Sequence, residues 1–173
     1  GIGTDHECSK IEEAREKTSL GMKIQVREGS AANNFDSLIG LIDENPENVM
    51  FCTDDAHPHE LVESHINALV RKAIGMGFNI LDVIKAATLT PIRHYNLEVG
   101  ILQKNDPADF IVIDNFKDFN ILKTYIDGIL VAENGISLLE SIPVHTINNF
   151  VAEKVTADKK KKRNEEKDIN IIG

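Results

Sequence analysis

The chain has 173 residues, 42% of them hydrophobic and 27% charged, which is enough apolar material for the packed core of one domain or parts of two. A net charge of −9 and a pI near 5.1 argue against nucleic acid as a partner, because phosphate binding needs a basic surface, but leave a small base open as substrate. Cys8 and Cys52 form no CxxC pair, so a disulfide framework or zinc ribbon is excluded and buried free thiols of a reducing compartment are the expectation.

Ser9 and Glu12 have capping-box spacing, predicting a helix from there to about Ser19 with Gly21 as its left-handed stop. Met22–Arg27 alternates apolar and polar residues and predicts a strand, broken by Gly29-Ser30. A helix is expected over about 32–42, then a turn at Asn45-Pro46. The apolar run 48–53 suits a strand buried on both faces, as in a parallel sheet. A polar loop, 54–59, precedes a long predicted helix over 60–76, with Gly75 and Gly77 at its end. Further helices are predicted over 80–87 and from Pro91 to Tyr95.

Strands alternating with helices predict parallel βα units over 1–98. The pattern then changes. Short β runs at 110–114, 121–126 and 129–132 are separated by Asp114-Asn115, Asp127-Gly128 and Asn134-Gly135, which predicts antiparallel β structure over 99–173. The basic run Lys159–Arg163 is followed by Glu165-Glu166 and reads as a solvated segment. Gly1 follows no initiator Met and Ile169–Gly173 is a strand-like run closed by glycine, so both ends read as cut from a longer chain. No apolar run approaches the roughly 18 residues of a membrane span, and the cytoplasm is the expected compartment.

Two segments carry the chemistry: Thr4-Asp5-His6-Glu7 and Cys52-Thr53-Asp54-Asp55-Ala56-His57-Pro58. Each places metal-ligand residue types where a strand meets a loop, the position from which barrel enzymes draw catalytic groups. A carboxylate at Asp54 suits a divalent cation and can accept a proton from water, although the same composition makes an ordinary surface turn. A neutral imidazole at His6 suits Zn, Mn or Fe. One strand and two helices separate them, so the two residues are expected on strands two apart, facing one axis. Arg27 and Glu28 end the middle strand and read equally as mouth residues or as a surface ion pair. His57 and His59 sit within reach on the loop, and His65 is expected on the polar face of the long helix.

The strings TDHE, REGSAA at 27–32, CTDDAHP at 52–58, HINALVRKAI and AATLTPIRHYNL resemble the adenine deaminases of the amidohydrolase superfamily. Gly100-Ile101-Leu102, with Asp106-Pro107-Ala108-Asp109 and the apolar run that follows, resembles the stretch by which that superfamily leaves its barrel for a small β-sandwich. The resemblance covers about residues 1–135. It implies an α/β fold made of the C-terminal βα units of a (β/α)8 TIM-type barrel, residues 1–98, and part of a β-sandwich, 99–173. It implies hydrolytic deamination of adenine to hypoxanthine and ammonia, with a divalent metal as cofactor, Mn first and Fe or Zn next. His6 and Asp54 match metal ligands. Asp54 also matches the general base, which takes the proton of the attacking water and passes it to the departing amine. Glu28 or Glu7 is the candidate for protonating the ring. Arg27, Glu7 and Asp55 border the substrate. Another cyclic amidohydrolase of the imidazolonepropionase or dihydroorotase kind, or a non-catalytic remnant, are the other readings.

The further ligands of the superfamily, a His-x-His and a carboxylate and His from earlier strands, are not in this sequence. Three βα units cannot close a barrel. The expected partners are therefore the small-molecule substrate adenine, the missing N-terminal half of the barrel and a second copy in a homo-oligomer, with neither nucleic acid nor membrane among them.

Overall fold

A computed structural model describes residues 2–143, 147–149, 151–152 and 154. The chain divides into two units, the first ending at Leu139 and the second starting at Glu140. The described residues of the second carry no helix or strand. The basic run 159–163 and the strand-like end 169–173 lie outside the described residues.

The first unit holds two sheets. Strands β1 (Thr4–Asp5), β2 (Lys23–Arg27) and β3 (Val49–Cys52) pair in that order, all parallel. In β2 the side chains alternate: Ile24 and Val26 are buried, whereas Lys23, Gln25 and Arg27 are only partly covered. Ile24 pairs with Val49 and Val26 with Phe51, so these four make one apolar face. That face joins the core with Ala14 of α1 (Ile11–Ser19), Phe35 and Leu38 of α2 (Phe35–Leu38), and Leu41 and Ile42 of α3 (Leu41–Glu44). Leu69, Val70 and Ala73 of α5 (Ile66–Gly75) and Val83 and Ala86 of α6 (Ile80–Ala87) complete it. On the opposite face the β2 side chains are polar, beside the buried Met50 of β3: Lys23 bonds the Glu47 carbonyl and the Asn48 side chain, and Gln25 donates to the Tyr95 hydroxyl at 2.5 Å. Tyr95 is the last residue of α7 (Leu89–Tyr95).

Several predicted helices are shorter or divided. α1 begins at Ile11 with Lys10 as its N-cap, and no side chain caps it, so the Ser9–Glu12 box does not form. Its end is as predicted: Gly21 has φ +86, its amide bonds the Thr18 carbonyl and the Met22 amide bonds Lys17, the paired bonds of a Schellman stop. The helix expected over 32–42 is two short ones. Glu28 bridges Asn33, which folds 29–32 into a tight loop and delays the helix to Phe35. Around Gly40 the bonds shorten to Ile42→Ile39 and Asp43→Gly40, the three-residue pattern that glycine, a poor helix former, does little to resist.

The helix expected over 60–76 also divides, into α4 (Pro58–Glu63) and α5, with Ser64 fully extended between them. The Asn67 side chain takes the His65 amide at 2.8 Å, removing a donor that a continuous helix would need. His65 is thus the N-cap of α5, not a residue of its polar face, and Leu61 of α4 is exposed. Asn79 caps α6 in the regular way, accepting from the Leu81 and Asp82 amides.

The second sheet is antiparallel: β4 (Phe110–Ile113), β5 (Ile121–Ile126), β6 (Ile129–Glu133) and β7 (Ile136–Ser137) in sequence order. Asp127-Gly128 and Asn134-Gly135 form its two-residue turns, with φ positive at all four residues, the geometry that matches the twist of the flanking strands. Asp109 accepts the Gly100 and Asp127 amides, each at 2.8 Å, and these bonds hold its carboxyl below the usual range. Ile113 and Phe119 carry this sheet's contribution to the main core. Among the described residues no helix is long and apolar enough to cross a membrane.

Candidate active site

Parallel strands with a common direction bring their C-terminal ends to one rim. His6 follows β1, Arg27 ends β2, and Asp54 lies two residues past β3. Because β2 sits between β1 and β3, His6 and Asp54 flank Arg27 from non-adjacent strands. His6 Nε2 stands 3.8 Å from Asp54 Oδ1 and 3.2 Å from Glu7 Oε1. Arg27, with a side chain only 11% exposed, donates through one terminal nitrogen to Asp54 Oδ2 at 2.7 Å and through the other to Glu7 Oε2 at 3.1 Å. Its Nε–H is buried with no partner among the described residues.

Asp54 is 26% exposed at its side chain and has φ +45. That left-handed conformation is uncommon outside glycine, though asparagine and aspartate tolerate it better than most, and such residues gather where a turn must aim a side chain. Cys52 pairs with Arg27 across the sheet, and burial pushes its thiol up. Cys8 is the more buried of the two free thiols, and burial together with the Asp5 carboxylate pushes it up to about 12.

The other predicted residues stand apart from this cluster. Glu28 bonds Lys72 at 2.7 Å; Lys72 also meets Asp36 at 3.0 Å and lies 4.4 Å over the Phe35 ring. Asp55 accepts the Ala31 amide at 3.1 Å and the Ala32 amide at 3.4 Å, which ties the 29–32 loop to the loop after β3. The approach is so close that a β-carbon on Gly29 would fall 1.9 Å from Asp55 Oδ1, so a side chain there would push the Asp55 carboxylate off its amide partners. His57 and His59 are exposed, and the Glu60 carboxylate accepts the His57 amide at 3.1 Å. The structure thus gathers His6, Glu7, Arg27 and Asp54, and leaves Glu28, Asp55, His57 and His59 outside.

One residue with a part in the site was not singled out by its sequence. Asn34, 3% exposed, accepts the Arg27 amide at 2.8 Å and donates to the carbonyls of His6 at 3.1 Å and Cys8 at 3.0 Å. No signal in the sequence marks this role: Asn34 stands at the N-cap of α2, and only the structure shows that its side chain does not cap that helix.

His6 and Asp54 offer one imidazole nitrogen and one carboxylate oxygen, the donor types of a Zn, Mn or Fe site. Bonds of about 2.0–2.2 Å from each donor span a gap of 3.8 Å. Among the described residues no three His, Cys, Asp or Glu side chains gather to hold a metal ion alone.

The amidohydrolase family model matches residues 3–131, and the chain belongs to that family. An adenine deaminase of Salinibacter ruber is 54% identical over 155 residues, covering 90% of this chain and 28% of that protein. One from Methanosarcina mazei is 54% identical over 86% of this chain and 27% of its own length, and one from Borreliella burgdorferi 49% identical over 99% and 32%. The chain thus spans less than a third of these curated relatives. Among solved structures, a beta-aspartyl dipeptidase of Fervidobacterium islandicum AW-1 superposes with a TM-score of 0.60 at 21% identity, over 77% of this chain and 39% of that one.

Proposed function

We propose that this chain is the C-terminal part of a metal-dependent adenine deaminase, which hydrolyses adenine to hypoxanthine and ammonia in the cytoplasm. In this reading residues 1–98 supply the last strands and helices of a (β/α)8 barrel and 99–173 part of a β-sandwich. The observation that carries it is the meeting of His6 and Asp54 across β2 in a chain about half identical to adenine deaminases.

His6 and Asp54 would hold the divalent cation, Mn in the first instance, with its other donors on the upstream strands. When bound, the cation supplies Lewis acidity toward water. Asp54 accepts the proton of the attacking water and returns it to the departing amine. Arg27 fixes Asp54 Oδ2, so that Oδ1 is the oxygen turned toward His6. Glu7, the most exposed of the cluster, borders the substrate at the rim together with Arg27. Asp55 shapes the same border through the loop it ties down. Glu28 acts as the second proton carrier only after releasing Lys72.

The test is turnover by the chain joined to the upstream portion of an adenine deaminase, read as ammonia release from adenine and as loss of the ring-closed substrate for dihydroorotate and imidazolonepropionate, whose hydrolysis opens the ring and frees no ammonia. Turnover of adenine alone, lost in His6→Ala, is the expected result. A correctly assembled protein that turns over one of the other two instead, or none, contradicts the reading. Sedimentation of the same assembly checks the homo-oligomer that this reading also expects.

A further inference from the structure

We infer that Asn34 is a positioning residue for His6: its buried side-chain amide sets the His6 backbone against the end of β2 and so fixes the His6–Asp54 separation. This rests on the reading of His6 and Asp54 as the cation's ligands.

The segment His6–Cys8 is gripped from two sides. On one, Asp5 accepts the Glu7 amide at 3.2 Å and the Cys8 amide at 3.1 Å, and is itself held by Lys17 at 2.9 Å. On the other, the Asn34 amide nitrogen donates to the His6 and Cys8 carbonyls. The Asn34 oxygen takes the Arg27 amide, and its own backbone amide bonds the Arg27 carbonyl at 3.2 Å. Asn34 therefore connects the residue that carries the imidazole to the residue whose guanidinium holds Asp54.

All three of its side-chain bonds are made to main chain, so they fix backbone position and not side-chain charge. An asparagine preceding a helix ordinarily spends its oxygen on that helix's first amides. Here that stabilisation is given up, and a local rule broken without gain to its own helix is the mark of a site requirement. Outer contacts of this kind, which orient a ligand without touching the metal, commonly change metal affinity 10- to 100-fold when removed.

The experiment is NMR on the labelled chain with three substitutions: Asn34→Ala, Asn34→Asp and, as a control of general destabilisation, Val83→Ala in the core of α6. Asn34→Asp keeps the acceptor for the Arg27 amide and cannot donate to the His6 and Cys8 carbonyls. Without metal, cross-relaxation between the His6 ring protons and the Asp54 β-protons should persist in wild type and Val83→Ala and vanish in both Asn34 variants. With Zn²⁺ as probe, affinity should fall about tenfold or more in the Asn34 variants and stay within about twofold in Val83→Ala. Should the Asn34 variants not fold, wild type alone decides: coupling is reciprocal, so Zn²⁺ should slow exchange of the Asn34 side-chain amide protons several-fold. Contacts retained in the Asn34 variants, lost equally in Val83→Ala, or Asn34 exchange untouched by bound Zn²⁺ would overturn the positioning role. Zn²⁺ that leaves the wild-type His6 signals unmoved would count against the metal reading alone, because the metal-free contacts still judge Asn34.

Discussion

The parallel sheet β1–β3 and the antiparallel sheet β4–β7 differ in where their structure is encoded. The antiparallel sheet is local: each strand pairs with its neighbour in sequence, and Asp127-Gly128 and Asn134-Gly135 set the register through turn geometry. The rim of the parallel sheet is assembled at long range. Arg27 reaches Asp54 across 27 residues and Glu7 across 20, and Asn34 reaches His6 across 28. A sheet built by turns tolerates change between its turns. A site built by distant strand ends depends on every core contact that holds those ends level.

The largest expected effect sharpens that contrast. Phe35 is fully buried, its ring 6.1 Å from that of Phe51 in β3, so Phe35→Ala should cost about 3–5 kcal/mol in denaturant unfolding. Phe110 stacks on Tyr125 at 4.5 Å but is only partly covered, and Phe110→Ala should cost roughly half as much. Equal losses would break the comparison.

Next in size is an acid effect at the start of the parallel sheet. Burial works to raise the Asp5 carboxyl, yet the bonds from Lys17 and from the Cys8 and Glu7 groups prevail and bring it down to about 2 from the ordinary 3.8. A depressed folded-state value stabilises above the unfolded value and is lost as pH falls through the folded one. The contribution, about 2 kcal/mol, should therefore be complete above about pH 4 and fade toward pH 2. Lys17→Met should move the onset of acid unfolding to higher pH, and an unchanged acid limb would remove Asp5 from the account.

The smallest effect belongs to the hairpins. Gly128 has φ +76, and Gly128→Ala should cost about 1–2 kcal/mol while leaving the His6–Asp54 geometry unchanged. A disturbed His6 signal in that variant would show that the two sheets are not independent.

The hairpins were legible because Asp-Gly and Asn-Gly act within two residues. The strands of the parallel layer were legible by alternation in β2 and by the apolar run of β3. Helix lengths were less so: Gly40 and the Asn67 side chain divide two helices whose apolar patterns read as continuous. His6, Arg27 and Asp54 were placed correctly at strand ends, because residue type and strand position suffice for that. What the strand ends are bonded to was not readable. Glu28 and Asp55 have the same composition as the cluster residues, and only tertiary contacts send one to Lys72 and the other to the Ala31 amide. Asn34 escaped notice because its role lies in three bonds to backbone, which carry no sequence mark.

The most direct measurement of the central claim is an isotherm of Mn²⁺ binding to this chain joined to the upstream portion of an adenine deaminase, beside His6→Ala and Asp54→Asn in the same assembly. The account predicts one site that either substitution weakens at least tenfold, with folding of the parallel layer retained. Binding of equal strength in all three proteins would contradict it.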